Sequence, residues 1–255
     1  MDPTPLVIFL ILLLLLVLGV GMVFLRMASR QARFRVDYTP WADGTVDFCS
    51  APSWRVCRSM LFKHPCRWLA IRCLNPPAVR DALDLQDATL CGWVEGLTRL
   101  GDDHLFITPP LNGWVLVFGS ALPAPEDDID RVFHFLQNLS RQLGEVQYFA
   151  ANRVVDHHAW ARMVDGRVRR AYAWTGETVW NDGEKTDAER RLSLRCLHYG
   201  ETRQTLFGSN DRPNADRIFA LAARWSLDPT TIEPVTERHS QGILGSLSDP
   251  RRAQH

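Results

Sequence analysis

Charge of one sign is what this chain conspicuously lacks: lysine plus arginine number 29, and aspartate plus glutamate also number 29. Such a balance projects no global field, so nucleic acid is not an expected partner. Phosphate-cradling loops are missing as well, because neither G-x-G-x-x-G nor G-x-x-x-x-G-K-S/T occurs. There is no G-x-S-x-G elbow, and Gly208-Ser209 sits in a polar stretch without the second glycine. Those absences argue against ATP-dependent and α/β-hydrolase chemistry. Six cysteines are present, Cys49, Cys57, Cys66, Cys73, Cys91 and Cys196, but no C-x-x-C pair and no Cys/His spacing of a zinc site. Neither a metal nor a cofactor is therefore expected. In a secreted chain the even count would invite disulfides, with Cys57, Cys66 and Cys73 first; in the cytoplasm, reduced and partly buried thiols are expected.

One long apolar run is present. Leu6 to Leu25 carries no charge, and at 1.5 Å per residue its length matches a hydrocarbon core of about 30 Å. The five residues before it contain no lysine or arginine and the run exceeds a signal-peptide core, so the spacing predicts a single-pass transmembrane helix over residues 6–25. Arg26, Arg30, Arg33 and Arg35 follow it directly. Positive flanks stay inside, which places the remaining chain on the cytoplasmic face of the cell membrane. Residues 1–5 form a stub outside. Residues 26–53, basic and then interrupted by Pro40, Gly44 and Pro52, read as a juxtamembrane linker.

A folded domain is expected over 54–234. Asn75-Pro76-Pro77 predicts a short helix to about Leu85. Leu105–Ile107 and Trp114–Phe118 read as neighbouring strands joined through Pro109, Pro110 and Asn112-Gly113. Glu126 to Leu143 places Ile129, Val132, Phe133, Leu136, Leu139 and Leu143 at helical spacing, with Gly144 just beyond. Tyr148–Met163 and Val168–Trp174 flank Asp165-Gly166, a hairpin signal. A two-residue turn there pairs His157 with Trp174, Ala159 with Tyr172, Met163 with Val168, and Trp160 with Ala171. A strand at Glu177–Trp180 leads to the capping box Thr186-Asp187-Ala188-Glu189. Asn214 caps a final helix carrying Ile218, Leu221, Ala222 and Trp225, which stops before Pro229. From about 235 to 255 the chain reads as a mobile tail. The fold class implied is α+β, a mostly antiparallel sheet with helices packed on one side.

Three constellations could carry function. Asp156 and His158 share a strand face and could serve acid–base chemistry with Glu177 from the neighbouring strand, as in a small-molecule hydrolase. Against this, a histidine without a third partner is more often packed among aromatics. Trp114, Trp160, Trp174 and Trp180 could wall a groove for a protein or peptide, although with nine tryptophans most must fill the core. Arg167, Arg169 and Arg170 mix with Tyr172 and Trp174, but alternation splits the patch and a solvated strand edge explains it equally well.

The stretches Thr108-Pro109-Pro110-Leu111-Asn112-Gly113-Trp114, Asn152-Arg153-Val154-Val155-Asp156-His157-His158-Ala159-Trp160 and Arg170-Ala171-Tyr172-Ala173-Trp174-Thr175-Gly176-Glu177 resemble a family of uncharacterised bacterial proteins. The likeness runs from about 65 to 232 and implies one domain, with no catalytic residue to carry over. The reading that results is a membrane-tethered, cytoplasmic-face interaction domain, more fitted to binding than to catalysis. Alternatives are a hydrolase built on Asp156 and His158, or a structural component of an envelope complex.

Overall fold

The computed structural model describes residues 66–101, 103–201, 214–232 and 241–247. The chain divides into two compact units, Met1–Cys49 and Ser50–His255, and every described residue belongs to the second. The expected transmembrane helix at 6–25 and the linker lie outside the described residues. Among the described residues no helix is long and apolar enough to cross a membrane.

Among the described residues nine strands form one sheet: β1 (Cys66–Ile71), β2 (Leu85–Cys91), β3 (His104–Ile107), β4 (Val115–Phe118), β5 (Glu145–Asn152), β6 (His157–Val164), β7 (Arg167–Trp174), β8 (Thr178–Asp182) and β9 (Gly242–Leu247). Their order is β2-β9-β3-β4-β1-β5-β6-β7-β8, and all neighbours are antiparallel. Among the described residues five α-helices accompany them: α1 (Pro76–Ala82), α2 (Trp93–Thr98), α3 (Ile129–Leu143), α4 (Asp187–Arg191) and α5 (Ile218–Trp225). The mostly antiparallel α+β architecture is as the sequence implies.

Helices cover both faces of the sheet, not one. The reason is visible in β1, where residues 68–71 are apolar on both sides: Leu69 and Ile71 enter one core, Trp68 and Ala70 the other. On the first face α3 lays Val132, Leu136 and Leu139 over Tyr148, Ala150, Ala159, Ala161, Ala171 and Ala173. The small alanines let the helix approach, and each buried Val or Leu contributes roughly 1.5–3 kcal/mol. Helix α3 begins at Ile129 rather than Glu126, because the Asp128 side chain accepts from the Arg131 amide and so caps it. The second face is aromatic. Trp68 stacks between Phe149 and Phe219 at 5.1 and 5.0 Å, and α5 buries Ile218, Phe219, Leu221 and Ala222 against it.

Three further expectations are corrected. The segment Tyr148–Met163 is not one strand: it turns at 153–156, where Asn152 Oδ1 accepts from the Val154 amide and Asp156 adopts φ 53°. The hairpin after it starts in the expected register, Met163 opposite Val168, but a bulge leaves Arg169 unpaired. Beyond the bulge the register moves by one, so Trp160 faces Tyr172, His158 faces Trp174, and Ala161 faces Ala171. Large side chains are thereby gathered on the second face and small ones under α3. Finally, 242–247 is no tail. As β9 it fills the space between β2 and β3, sending Ile243 to one core and Leu244 to the other. Glycine permits this, because a Cβ at Gly242 would lie 2.4 Å from the Phe106 ring.

Candidate functional site

On the second face, strands β6 and β7 support a buried polar network. The bulge at Arg169 turns Arg170 inward, where only 2% of its side chain is exposed. Its Nε donates to Glu189 Oε1 at 2.8 Å, and its Nη1 donates to Asn181 Oδ1 and to the Ala171 carbonyl at 2.8 Å each. Glu189, with its side chain wholly buried, also accepts from Trp160 Nε1 at 2.9 Å. Its second oxygen takes the Thr186 amide and hydroxyl at 2.6 and 2.7 Å, completing the capping box legible in the sequence. An ionised carboxylate offers about four lone-pair positions, and these four donors fill them, with the Cys196 thiol a fifth, longer contact to Oε1 at 3.8 Å. No position is left with which to abstract a proton. Burial alone would raise the Glu189 carboxyl, but the Thr186 hydrogen bonds and the Arg170 charge outweigh it and hold the group below the usual carboxylate range.

Cys196 lies beside this pair, its sulfur 3.2 Å from Arg170 Nη2. Burial pushes the thiol up to about 11 against the pull of Arg170, so it is protonated at neutral pH and a weak nucleophile.

His158 belongs to the same face. Its side chain is 4% exposed and its ring stacks on Trp160 at 5.8 Å and 12°. Asn214 fixes its tautomer. The Asn214 Oδ1 accepts the Arg195 amide at 2.9 Å, so the other end of that side chain is the NH₂ group. That group donates to the Arg195 carbonyl and to His158 Nε2, the latter at 3.0 Å. Nε2 is therefore an acceptor, and Nδ1–H donates to the Asp156 carbonyl at 3.1 Å. The Asn214 side chain thus holds a histidine and a loop rather than capping α5, which begins four residues later at Ile218.

Asp156 and His158 do come together, with Oδ1 at 3.8 Å from Nδ1. They do so through the turn rather than through strand alternation. Glu177 does not join them: it is exposed between β7 and β8 and makes no hydrogen bond or ion pair to either among the described residues. The acid–base trio is thus not assembled. The four tryptophans do not share a groove either. Trp160 and Trp174 are buried in the aromatic core, Trp114 packs partly buried at its margin, and Trp180 lies on the opposite face, edge-on to Phe133 at 6.0 Å. Glu189 and Asn214, which organise the face, were not site candidates in the sequence, and Arg170 was weighed only as part of a solvated arginine patch. Only the capping box hinted at Glu189. Among the described residues no group of three His, Cys, Asp or Glu is placed to hold a metal ion.

What faces outward at this end of the sheet is the β5–β6 turn. Val154 and Val155 are 73% and 52% exposed, and Arg153 is paired to Asp216 at 2.9 Å. Beneath it run the first residues of β1 and the loop 119–128, which is held by Arg67 donating to the Leu122 carbonyl and Tyr148 to the Pro123 carbonyl. Compared with family models, with curated proteins and with solved structures, the chain matches none.

Proposed function

We propose that this chain is a membrane-tethered recognition protein whose folded domain binds a protein or peptide through the β5–β6 end of its sheet, on the cytoplasmic face. The observation that carries the reading is the Val154–Val155 turn, which sets two apolar side chains in water beside a surface ion pair. Contiguous apolar groups in that position are stabilised by a partner that covers them. The commitments inside agree with this: the Glu189 carboxylate and both nitrogens of the His158 ring are engaged in holding the fold. The apolar run at 6–25, with arginines after it, supplies the tether and its orientation.

Site-specific photo-crosslinking tests the proposal. A benzophenone side chain is placed at Val155 or, as a control, at Asn138 on the exposed side of α3 in the full chain, and cells are irradiated. A discrete adduct from position 155 that is absent from position 138 supports the reading. Equal adducts from both positions, or none from 155, would overturn it.

A further inference from the structure

The ring of His158 is clamped between the two ends of the β5–β6 turn. Its Nδ1–H donates at 3.1 Å to the carbonyl of Asp156, the residue after Val155. Its Nε2 accepts at 3.0 Å from Asn214, which opens a single 3₁₀ turn (Asn214–Asp216). Asp216 in turn pairs with Arg153, the residue before Val154. Both exposed valines thus lie between residues that are tied to one imidazole. The acceptor end is the sensitive one. A proton on Nε2 would set an N–H against the Asn214 NH₂ group, and two donors cannot make one bond. Turning the Asn214 amide over would mend that contact and break two others, since its Oδ1 holds the Arg195 amide and its NH₂ the Arg195 carbonyl. The Arg153–Asp216 pair is a weak substitute anchor, because both side chains are more than a third exposed.

The surroundings let the ring take that proton. A recess of about 240 Å³, counting the solvent it admits, is bordered by His158, Asn152 and Thr175 and opens beside the ring. Asp156 Oδ1 stands 3.8 Å from Nδ1 and would balance an imidazolium. Among the described residues, Glu126 across the recess and Asp216 also favour the charge, whereas Arg67, Arg153, Arg195 and Arg217 oppose it. Tyr172 on β7, Cys66 on β1 and Cys196 beyond Arg195 are all pushed up by burial and stay neutral. His157 lies on the other face of β6.

We infer that His158 is a proton-operated latch on the recognition end. The neutral ring holds Asn214 and keeps the valine turn in the shape that meets the partner; the protonated ring lets Asn214 go, frees the turn and releases the partner. The inference rests on the recognition reading and supplies its regulation. Its sign follows from the Asn214 bond, which needs the neutral ring. The bond is therefore complete above the titration of the imidazole, ordinarily about 6.5, and lost as pH falls through it.

The full chain in detergent, labelled with ¹⁵N-histidine and ¹³C-methyl valine, is titrated by NMR from about pH 8 to about pH 5. The ring of His158 is assigned by its loss in His158→Gln, and the valine methyls by Val154→Ile and Val155→Ile. Nε2 is expected to pass from acceptor to N–H in one step. Both valines should shift with the same midpoint, while Val117 in the core stays in place. His158→Gln keeps an acceptor for Asn214 but takes up no proton, so it should abolish the valine step; His157→Gln should leave it. Asn214→Asp sets a carboxylate against Nε2 and should raise the midpoint by at least about one unit. The latch is refuted if the ring stays neutral throughout, if it titrates without moving the valines, if the valines still move in His158→Gln, or if Asn214→Asp leaves the midpoint where it was. None of these readouts needs a partner. Their failure leaves an adduct at Val155 untouched, and absence of the adduct leaves them standing, so the two readings fall separately.

Discussion

Replacing Glu189 by alanine is the most revealing perturbation of the domain, because donors from β6, β7 and the start of α4 converge on one carboxylate. Removing one member of a buried ion pair costs about 3–5 kcal/mol, since the remaining charge is left uncompensated. Here Arg170 Nε would lose its carboxylate, Trp160 Nε1–H its acceptor, and the Thr186 amide its half of the capping box. An orphaned buried donor adds about 1–3 kcal/mol and a lost cap about 1 kcal/mol. The terms share a single carboxylate and do not sum, so a loss of about 4 kcal/mol is expected. Against a total of about 5–15 kcal/mol for a domain, that removes a large share of the stability. The assay is urea unfolding of residues 50–255 at pH 7, followed by tryptophan fluorescence. In a cycle with Arg170→Met, the double variant should lose at least about 1.5 kcal/mol less than the two singles together. The pH dependence has a defined sign. The Glu189 carboxyl sits below its ordinary value of 4.5 in the folded domain. Its contribution is therefore full above that value and lost as pH falls through the lower folded one. A Glu189→Ala variant within about 1 kcal/mol of the native chain would refute this account of the network.

Other outcomes follow from the same packing. Deleting residues from 241 onward removes the strand shared by β2 and β3, and the cooperative unfolding transition is expected to broaden or vanish; an unchanged midpoint would show β9 to be dispensable. Gly96→Ala sets a Cβ 2.2 Å from the Phe106 ring and should cost about 1–3 kcal/mol, whereas Gly92→Ala, which meets nothing within 4 Å, should cost under about 0.5 kcal/mol by chemical denaturation. Burial raises Cys66 to about 12 and Cys196 to about 11, so both thiols should react with a maleimide at pH 7.5 at least tenfold more slowly than a cysteine placed at Leu74, which is 74% exposed. Comparable rates would mean the aromatic core opens readily.

Local order was legible in the sequence, and long-range order was not. Helix α3 announced itself through the spacing of Val132, Leu136 and Leu139 and through Gly144, all features read within one window. Asp165-Gly166 and Thr186-x-x-Glu189 were equally local. The bulge at Arg169 was hidden, because nothing in Arg167-Val168-Arg169-Arg170 says which arginine leaves the ladder. One residue of slip then carried Arg170 from a solvated edge into the core. The place of β9 was hidden for a different reason: Gly242-Ile243-Leu244-Gly245 is short and glycine-rich, and its partners β2 and β3 are more than a hundred residues away in sequence. Asn214 has the form of a helix cap, and only the fold brings His158 to its amide. The two-faced core was partly visible, since Trp68-Leu69-Ala70-Ile71 has no polar side for water.

Hydroxyl-radical footprinting of the full chain tests the central claim most directly, comparing native membrane vesicles with the purified protein in detergent. Val154 and Val155 should be oxidised at least threefold less in the vesicles, where a partner covers the turn, while Leu90 and Tyr199, exposed elsewhere, stay equally reactive in both. Equal oxidation of the two valines in both preparations would contradict recognition through this end of the sheet.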